Sequence, residues 1–228
     1  MRLLTVIPAR AGSKGVPGKN TKLLGDKPLI THTILAAQAA GLENIVVNSE
    51  DDHIHTIALE CGVQVYKRPA QLAEDHSKSI DVVLDMLDGH YPSFDAILLL
   101  QTTYPFREPG FINKAIKKYK NESLDSLVSV LEVPAHYNPH WVFESNKEGL
   151  LRVATGEDEI IPRRQELPKA YFRDGGIYIT SKEVLIGMKS FLGKKLGYIK
   201  SNPKNYVNID NQEDWNQALA MLESRTGM

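Results

Sequence analysis

Between Arg10 and Asn20 the sequence sets three cations, Arg10, Lys14 and Lys19, among three glycines, Gly12, Gly15 and Gly18. Glycines let backbone N–H groups turn toward a ligand with no Cβ in the way. Cations beside them add charge-assisted hydrogen bonds to an anion. Donors plus cations are what a polyphosphate needs. The segment is not a Walker loop, because Lys19 is followed by Asn20 and the G-x-x-x-x-G-K-[ST] pattern is absent. By composition alone it reads equally as a solvated Gly/Lys loop; its place directly after an apolar run favours the phosphate reading. Other chemistries find no support. The seven histidines show no metal spacing: His53 and His55 are two apart, and His136 and His140 flank Pro139. With neither H-E-x-x-H nor a Cys/His cluster, zinc chemistry is not expected. G-x-S-x-G, the nucleophile elbow of hydrolases, is absent too.

Such a loop works only if rigid elements hold it. Residues 2–7 are a short, apolar, β-branched run that predicts a buried strand. The pattern then predicts helices over 28–40 (stopped by Gly41), 51–60, 79–87, 109–119 (opened by Pro109) and 214–223. Strands are predicted over 44–48, 63–66, 95–100, 126–131 and 176–179. This alternation predicts an α/β fold, a Rossmann-like, mostly parallel sheet with helices on both faces. Ligands bind such sheets beyond the carboxyl ends of the strands, where the order reverses. The loops after Ile7, Asn48 and Leu100 are therefore the places to search. Residues 134–172 break the rhythm with Pro134, Pro139, Pro162 and Pro168 and the aromatics Tyr137, Trp141 and Phe143. They read as an inserted arm, a candidate dimerisation element within one domain spanning 1–228.

Bulk properties narrow the class. The chain has 228 residues, 42% hydrophobic and 24% charged, with a formal net charge of −1. That is the composition of an ordinary globular protein, with no basic excess to suggest nucleic acid. Cys61 is the single cysteine, so no internal disulfide forms and a cytoplasmic location is expected. The apolar run at the N-terminus is too short for a signal peptide, and no stretch approaches a membrane span.

Five motifs in order make the reading specific. The segment Ile7-Pro8-Ala9-Arg10-Ala11-Gly12-Ser13-Lys14-Gly15-Val16-Pro17-Gly18-Lys19-Asn20 resembles the signature of the acylneuraminate cytidylyltransferases, the CMP-sialic acid synthetases and their legionaminic and pseudaminic acid relatives. Arg68 to Asp75 resembles the family's Arg-Pro-x-x-Leu-Ala-x-Asp. Leu99 to Arg107 resembles Leu-Leu-Gln-Pro-Thr-Ser-Pro-Leu-Arg. Arg164-Gln165-Glu166-Leu167-Pro168 and Gly175-Gly176-Ile177-Tyr178 resemble Arg-Gln-x-Leu-Pro and Asn-Gly-x-Ile-Tyr. Asn208-Ile209-Asp210 with Glu213-Asp214 resembles Asp-Ile-Asp-x-x-x-Asp.

The resemblance implies a nucleotidyltransferase that transfers CMP from CTP to the anomeric hydroxyl of a nonulosonic acid. Arg10 and Lys19 would clamp the phosphates, with Gly12, Ser13 and Lys14 lining the same loop. Lys19 would also stabilise charge on the departing pyrophosphate. Asn20 would touch the ribose or base region, and Arg68, Ser79 and Gln101 would select cytosine. Read from the residues alone, Ser79 is better explained as the N-cap of its helix. Gln101 ends a central strand at the ligand edge, so it is also a candidate for the sugar. Arg164 would meet the sugar carboxylate, with neighbouring Arg163 an alternative. Tyr178 would line the sugar pocket or simply pack in the core. Asp210, with Asn208 beside it, would bind Mg²⁺. The family is commonly dimeric, which suits the aromatic arm.

Three positions depart from the pattern. Asn208 stands where the family usually has a first aspartate. Asp174 stands where Asn commonly precedes Gly; a carboxylate accepts hydrogen bonds only, which would change the sugar groups preferred there. Trp141 stands near a position that can be basic in sialic acid synthetases. All three lie on the metal or sugar side. The rival readings are transfer to another sugar acid or a sugar phosphate, and a non-catalytic nucleotide-binding regulator.

Overall fold

The computed structural model describes residues 1–74, 76–88, 90–91 and 93–226. Asp75, the last residue of the 68–75 motif, lies outside the described residues.

In chain order the elements are β1 (Leu3–Pro8), β2 (Leu23–Leu24), β3 (Lys27–Pro28), α1 (Leu29–Ala39), β4 (Ile45–Ser49), α2 (Asp52–Glu60), β5 (Gln64–Lys67), α3 (Ser79–Leu87), β6 (Ala96–Leu99), α4 (Pro109–Asn121), β7 (Ser126–Glu132), β8 (Phe143–Ser145), β9 (Leu151–Val153), β10 (Tyr171–Ser181), α5 (Lys182–Met188), β11 (Leu196–Lys200) and α6 (Gln212–Thr226). Seven strands form one sheet in the order β11-β7-β10-β6-β1-β4-β5. Every neighbouring pair is parallel except the two made by β10, which runs antiparallel between β6 and β7.

Both faces of the sheet are buried, as continuous apolar strands require. Ile7, Val47, Leu98 and Leu127 point to one face, against α1, α2 and α4 through Ile34, Ala37, Ile54, Ile57 and Ile112. Leu4, Val6, Ile97, Leu99 and Val128 point to the other, against α3 and α5 through Val83, Met86 and Leu185. Each such side chain contributes roughly 1.5–3 kcal/mol by leaving water. A third cluster sits off the sheet: Val16 from the Gly/Lys loop packs with Leu24, Leu29, Phe106 and Ile209 against Trp215 and Ala218 of α6.

Local chemistry sets the helix ends. Gly41 takes a left-handed φ of 76° and its N–H donates to the Gln38 carbonyl, which closes α1. Asp51 caps α2 by accepting from the Ile54 N–H at 2.9 Å. At α6, Asn211 Oδ1 accepts from the Asp214 N–H and Asp214 Oδ2 accepts from the Asn211 N–H, a reciprocal capping box.

The structure corrects three expectations. Tyr171 and Phe172, assigned to the arm, are the first residues of β10 and pair with Glu132 and Leu131. Ser79 is not a cap: α3 begins with it, and Lys78 holds the cap position without a side-chain bond. No element was expected between residues 180 and 210, where α5 and β11 form.

Candidate active site

The chain leaves β1 toward β4 and β5, then returns to β6 on β1's other side. The carboxyl ends of β1 and β6 therefore diverge into a crevice, the expected place for a ligand. Residues 9–20 after β1 and 100–107 after β6 form its walls.

The Gly/Lys loop is held at several points. The Ala9 N–H donates to the Asn48 carbonyl at 3.0 Å. Asn20 closes the loop on itself, its Nδ2 donating to the Arg10 carbonyl at 2.8 Å. The Thr102 hydroxyl donates to Asn20 Oδ1 at 2.7 Å, which ties the loop to the end of β6. Gly18 turns the chain at φ 61°. At Gly15 a Cβ would lie 1.8 Å from the Asp210 carbonyl oxygen, so only glycine permits this contact. Lys19 Nζ donates to the Ile209 carbonyl and lies 3.7 Å from Asp210 Oδ1. Burial lowers the Lys19 pKa, and the Asp210 charge opposes that shift.

Arg68, 6% exposed, is fixed by Asn48: Nε donates to Oδ1 at 2.6 Å and Nη2 to the carbonyl at 2.7 Å. Burial lowers its pKa, with Glu50 opposing. Glu50 carries a role that the sequence did not reveal. Its Oε1 accepts from the Ala11 N–H at 2.8 Å and its Oε2 lies 3.9 Å from Arg68 Nη1. Its neighbour Asp51 is the residue that caps α2.

Arg10, Ser13, Lys19, Asn20, Arg68, Ser79 and Gln101 line one cleft of about 250 Å³. Gly12 and Lys14 line an adjoining groove over the loop with Arg10 and Ser13. The residues expected to hold the nucleotide are thus brought together. Lys78, Ser79, Gln101, Arg173, Tyr178 and Phe191 line a second cleft. Gln101, Thr103, Arg173, Tyr178, Asn208 and Asp210 line a third. Gln101 is common to all three. Tyr178 packs with Phe191 at 5.9 Å in the core and borders two clefts.

Two expectations about the sugar side change. Asp174 lines the third cleft but is 2% exposed, and its carboxylate is committed inward. Oδ1 accepts from the Ser129 hydroxyl and from the Gly176 N–H at 2.9 Å, and Oδ2 accepts from the Ser201 hydroxyl. Its predicted direct contact with the sugar is therefore replaced by an internal one. Arg164 does not join the other sugar-side residues in this chain. It is exposed and borders a separate groove with Pro134, Asn138, Leu167 and Pro168. Trp141 stays within the arm, Nε1 donating to the Ile161 carbonyl at 2.7 Å. Asn208 Nδ2 donates to Asp210 Oδ2, so these two stand together at the mouth of the third cleft. Arg173, Lys189 and Phe191 were missed as site residues; Lys189 and Phe191 lie where no element was predicted.

A seven-stranded α/β sheet with a cationic glycine loop on its first strand and a forked crevice beyond it defines a protein of the nucleotidyltransferase class. The chain belongs to the cytidylyltransferase family, whose profile matches residues 4–214. It is 38% identical to the CMP-N,N'-diacetyllegionaminic acid synthase of Legionella pneumophila, over 98% of this chain and 97% of that protein. It is 32% identical to the N-acylneuraminate cytidylyltransferase of Streptococcus agalactiae, over 97% of this chain but 54% of that protein. Among solved structures, a CMP:2-keto-3-deoxy-manno-octonic acid synthetase complexed with CTP shares the fold, with a TM-score of 0.73 at 17% identity, covering 99% of this chain and 100% of that one. No helix among the described residues is long and apolar enough to cross a membrane.

Proposed function

We propose that this protein transfers CMP from CTP to the anomeric hydroxyl of a sialic-acid-like nonulosonic acid and releases pyrophosphate. The observation that carries the reading is the shared position of Gln101 in all three clefts. A nucleotide against the glycine loop and an acceptor against Tyr178 would meet at that side chain. The near-full-length similarity to the legionaminic acid enzyme supports the acceptor class.

In this reading the acceptor hydroxyl gives up its proton to water, its oxygen bonds to the α-phosphorus, and the bond from that phosphorus to the oxygen bridging to the β-phosphate breaks. Arg10 and Lys19 hold the triphosphate and balance charge on the departing pyrophosphate, with Ser13, Lys14 and the Gly12 backbone along the loop. Arg68, Ser79, Asn20 and Gln101 surround the nucleoside. Arg173 and Tyr178 face the acceptor, and Arg164 reaches its carboxylate from the arm of a second subunit. Homodimerisation belongs to the same proposal. Its support is the arm's exposed Tyr137, Phe143, Leu150 and Leu151. A cytoplasmic location is supported by the free Cys61.

Mg²⁺ fits the donor set. Asp210 has a side chain 63% exposed at the cleft; its carboxylate takes no part in capping α6 and faces Lys19 and Asn208. One carboxylate, the Asn208 amide oxygen and substrate phosphates suit an ion that keeps few protein ligands. When bound there, Mg²⁺ would neutralise charge on the substrate phosphates.

Pyrophosphate release from CTP, measured against a panel of nonulosonic acids, 2-keto-3-deoxy-manno-octonic acid and sugar phosphates, tests the reading. The Lys19→Ala variant serves as the blank. Release with a nonulosonic acid is expected. Release only with another acceptor assigns a different sugar, and CTP binding without release from any acceptor assigns a regulator.

A further inference from the structure

Arg107 closes the motif 99–107, and the proposed chemistry gives it no task. It is 3% exposed, and burial lowers its pKa to about 10, against the opposing influence of Tyr104 and Asp174. Its Nε donates to the Gly176 carbonyl at 2.7 Å and its Nη2 to the Gln101 carbonyl at 2.9 Å. The planar fork thus grips two backbones at once. The Gly176 peptide is gripped from its other end by Asp174, which accepts its N–H. Ser129 joins the same group: its hydroxyl donates to Asp174 and its oxygen accepts the Ile177 N–H at 2.7 Å. Ser201, just past β11, donates to the second Asp174 oxygen.

Four strands therefore meet in one buried polar cluster at the carboxyl edge of the sheet. Directly above it β10 is irregular. Its register against β7 shifts between Arg173 and Tyr178, and Gly175 takes a φ of 76°. A Cβ on Gly175 would lie 3.0 Å from Gln101 Oε1 and 3.6 Å from Asn208 Oδ1. The bend thus touches the residue common to all three clefts and the neighbour of Asp210. Buried charges are a costly way to fill space, and apolar residues of similar volume do as well or better for stability alone. Their use here, under the bend, points to geometry.

We propose that Arg107 and Asp174 are positioning residues: they hold the Gly176 peptide between opposite charges and so fix the β10 bend and Gln101 where the acceptor must lie. Neither side chain touches substrate. The inference rests on the transfer reaction proposed above.

The test uses the full chain carrying R107K, R107Q, D174N, S201A and the double change R107Q/D174N. Steady-state kinetics are run with CTP and N,N'-diacetyllegionaminic acid, or with the panel acceptor that the wild type turns over fastest. CTP binding is read by calorimetry, and hydrogen exchange is followed over residues 171–181 and 9–20. R107Q is expected to raise the acceptor KM and lower kcat, each by about tenfold, and to weaken CTP binding by no more than about threefold, because Gln101 is one of four residues around the nucleoside. R107K keeps the charge but loses the fork, and falls between. The double change recovers part of the loss, because neither charge is then left alone. S201A, the mildest change, keeps the proposal testable should the others fail to fold. Exchange should rise over 171–181 and stay constant over 9–20. Equal changes in acceptor KM and CTP affinity, or an exchange increase spread evenly over both segments, overturn the proposal. If the wild type releases no pyrophosphate with any acceptor, the transfer reading fails, and the exchange pattern alone then decides whether these residues fix the bend.

Discussion

The two halves of the crevice are built in different ways. On the side proposed for the nucleotide, Arg10 to Asn20 form one contiguous loop, closed by Asn20 on the Arg10 carbonyl and pinned by Thr102. On the side proposed for the acceptor, Gln101, Asp174, Tyr178, Phe191 and Asn208 come from scattered segments, and Arg164 stands apart. The contiguous half is one stretch of backbone seated on Asn48, Thr102 and Ile209. The scattered half has geometry only once β10 has been laid between β6 and β7. The difference shows where a family can vary. A loop whose backbone does the holding tolerates little change, whereas side chains gathered from separate strands can change singly to suit another acceptor. Of the three departures from the family pattern, Asp174 and Asn208 fall in the scattered half and Trp141 lies within the arm.

The comparison breaks most sharply at Gly15. Gly15→Ala puts a methyl group on the Asp210 backbone and pushes the loop off its seat. A misplacement of that kind costs about 100-fold in turnover. The loss should show in kcat/KM for CTP; near-normal kinetics would mean that the loop does not depend on this contact. Arg164→Ala tests the other half. It should raise the acceptor KM by about tenfold and leave the CTP KM alone, and mixing it with a Lys19→Ala subunit should restore activity in part of the dimers. Equal effects on both substrates would remove Arg164 from the acceptor side. Thr102→Val gives the smallest effect. It removes one buried hydrogen bond to Asn20, worth roughly 1 kcal/mol. The melting temperature should fall by about 2–4 °C, with a modest rise in the CTP KM, and an unchanged melting temperature would show the tie to be idle.

Sequence legibility follows the same division. Predicted strands and helices up to residue 131 lie within a few residues of the observed ones, because buried parallel strands are continuous apolar runs and each helix has a local start or stop such as Pro109, Asp51 or Gly41. The glycine loop was legible because its chemistry is contiguous. What was lost depends on distant partners. Nothing in the pattern around Tyr171 says that β10 will pair backwards with β7. Asp174 looks like a ligand acid until Ser129 arrives from β7 and Ser201 from the end of β11. Ser79 has the residue type of a cap, yet the helix begins on it, one residue after Lys78. Glu50 lies 39 residues from Ala11 in the chain, and only the fold brings the Ala11 N–H to it.

The contact between Lys19 and Ile209 spans 190 residues of chain. Val16, at the base of the same loop, is buried against Trp215 of the last helix. Proteins are synthesised from the N-terminus, and domains generally fold as units. The ribosome therefore makes the loop some 190 residues before the surface it rests on. Until residues 209–215 have been made and have folded, the growing chain holds this loop without its seat. The geometry of the loop is set by chain that follows it at long range.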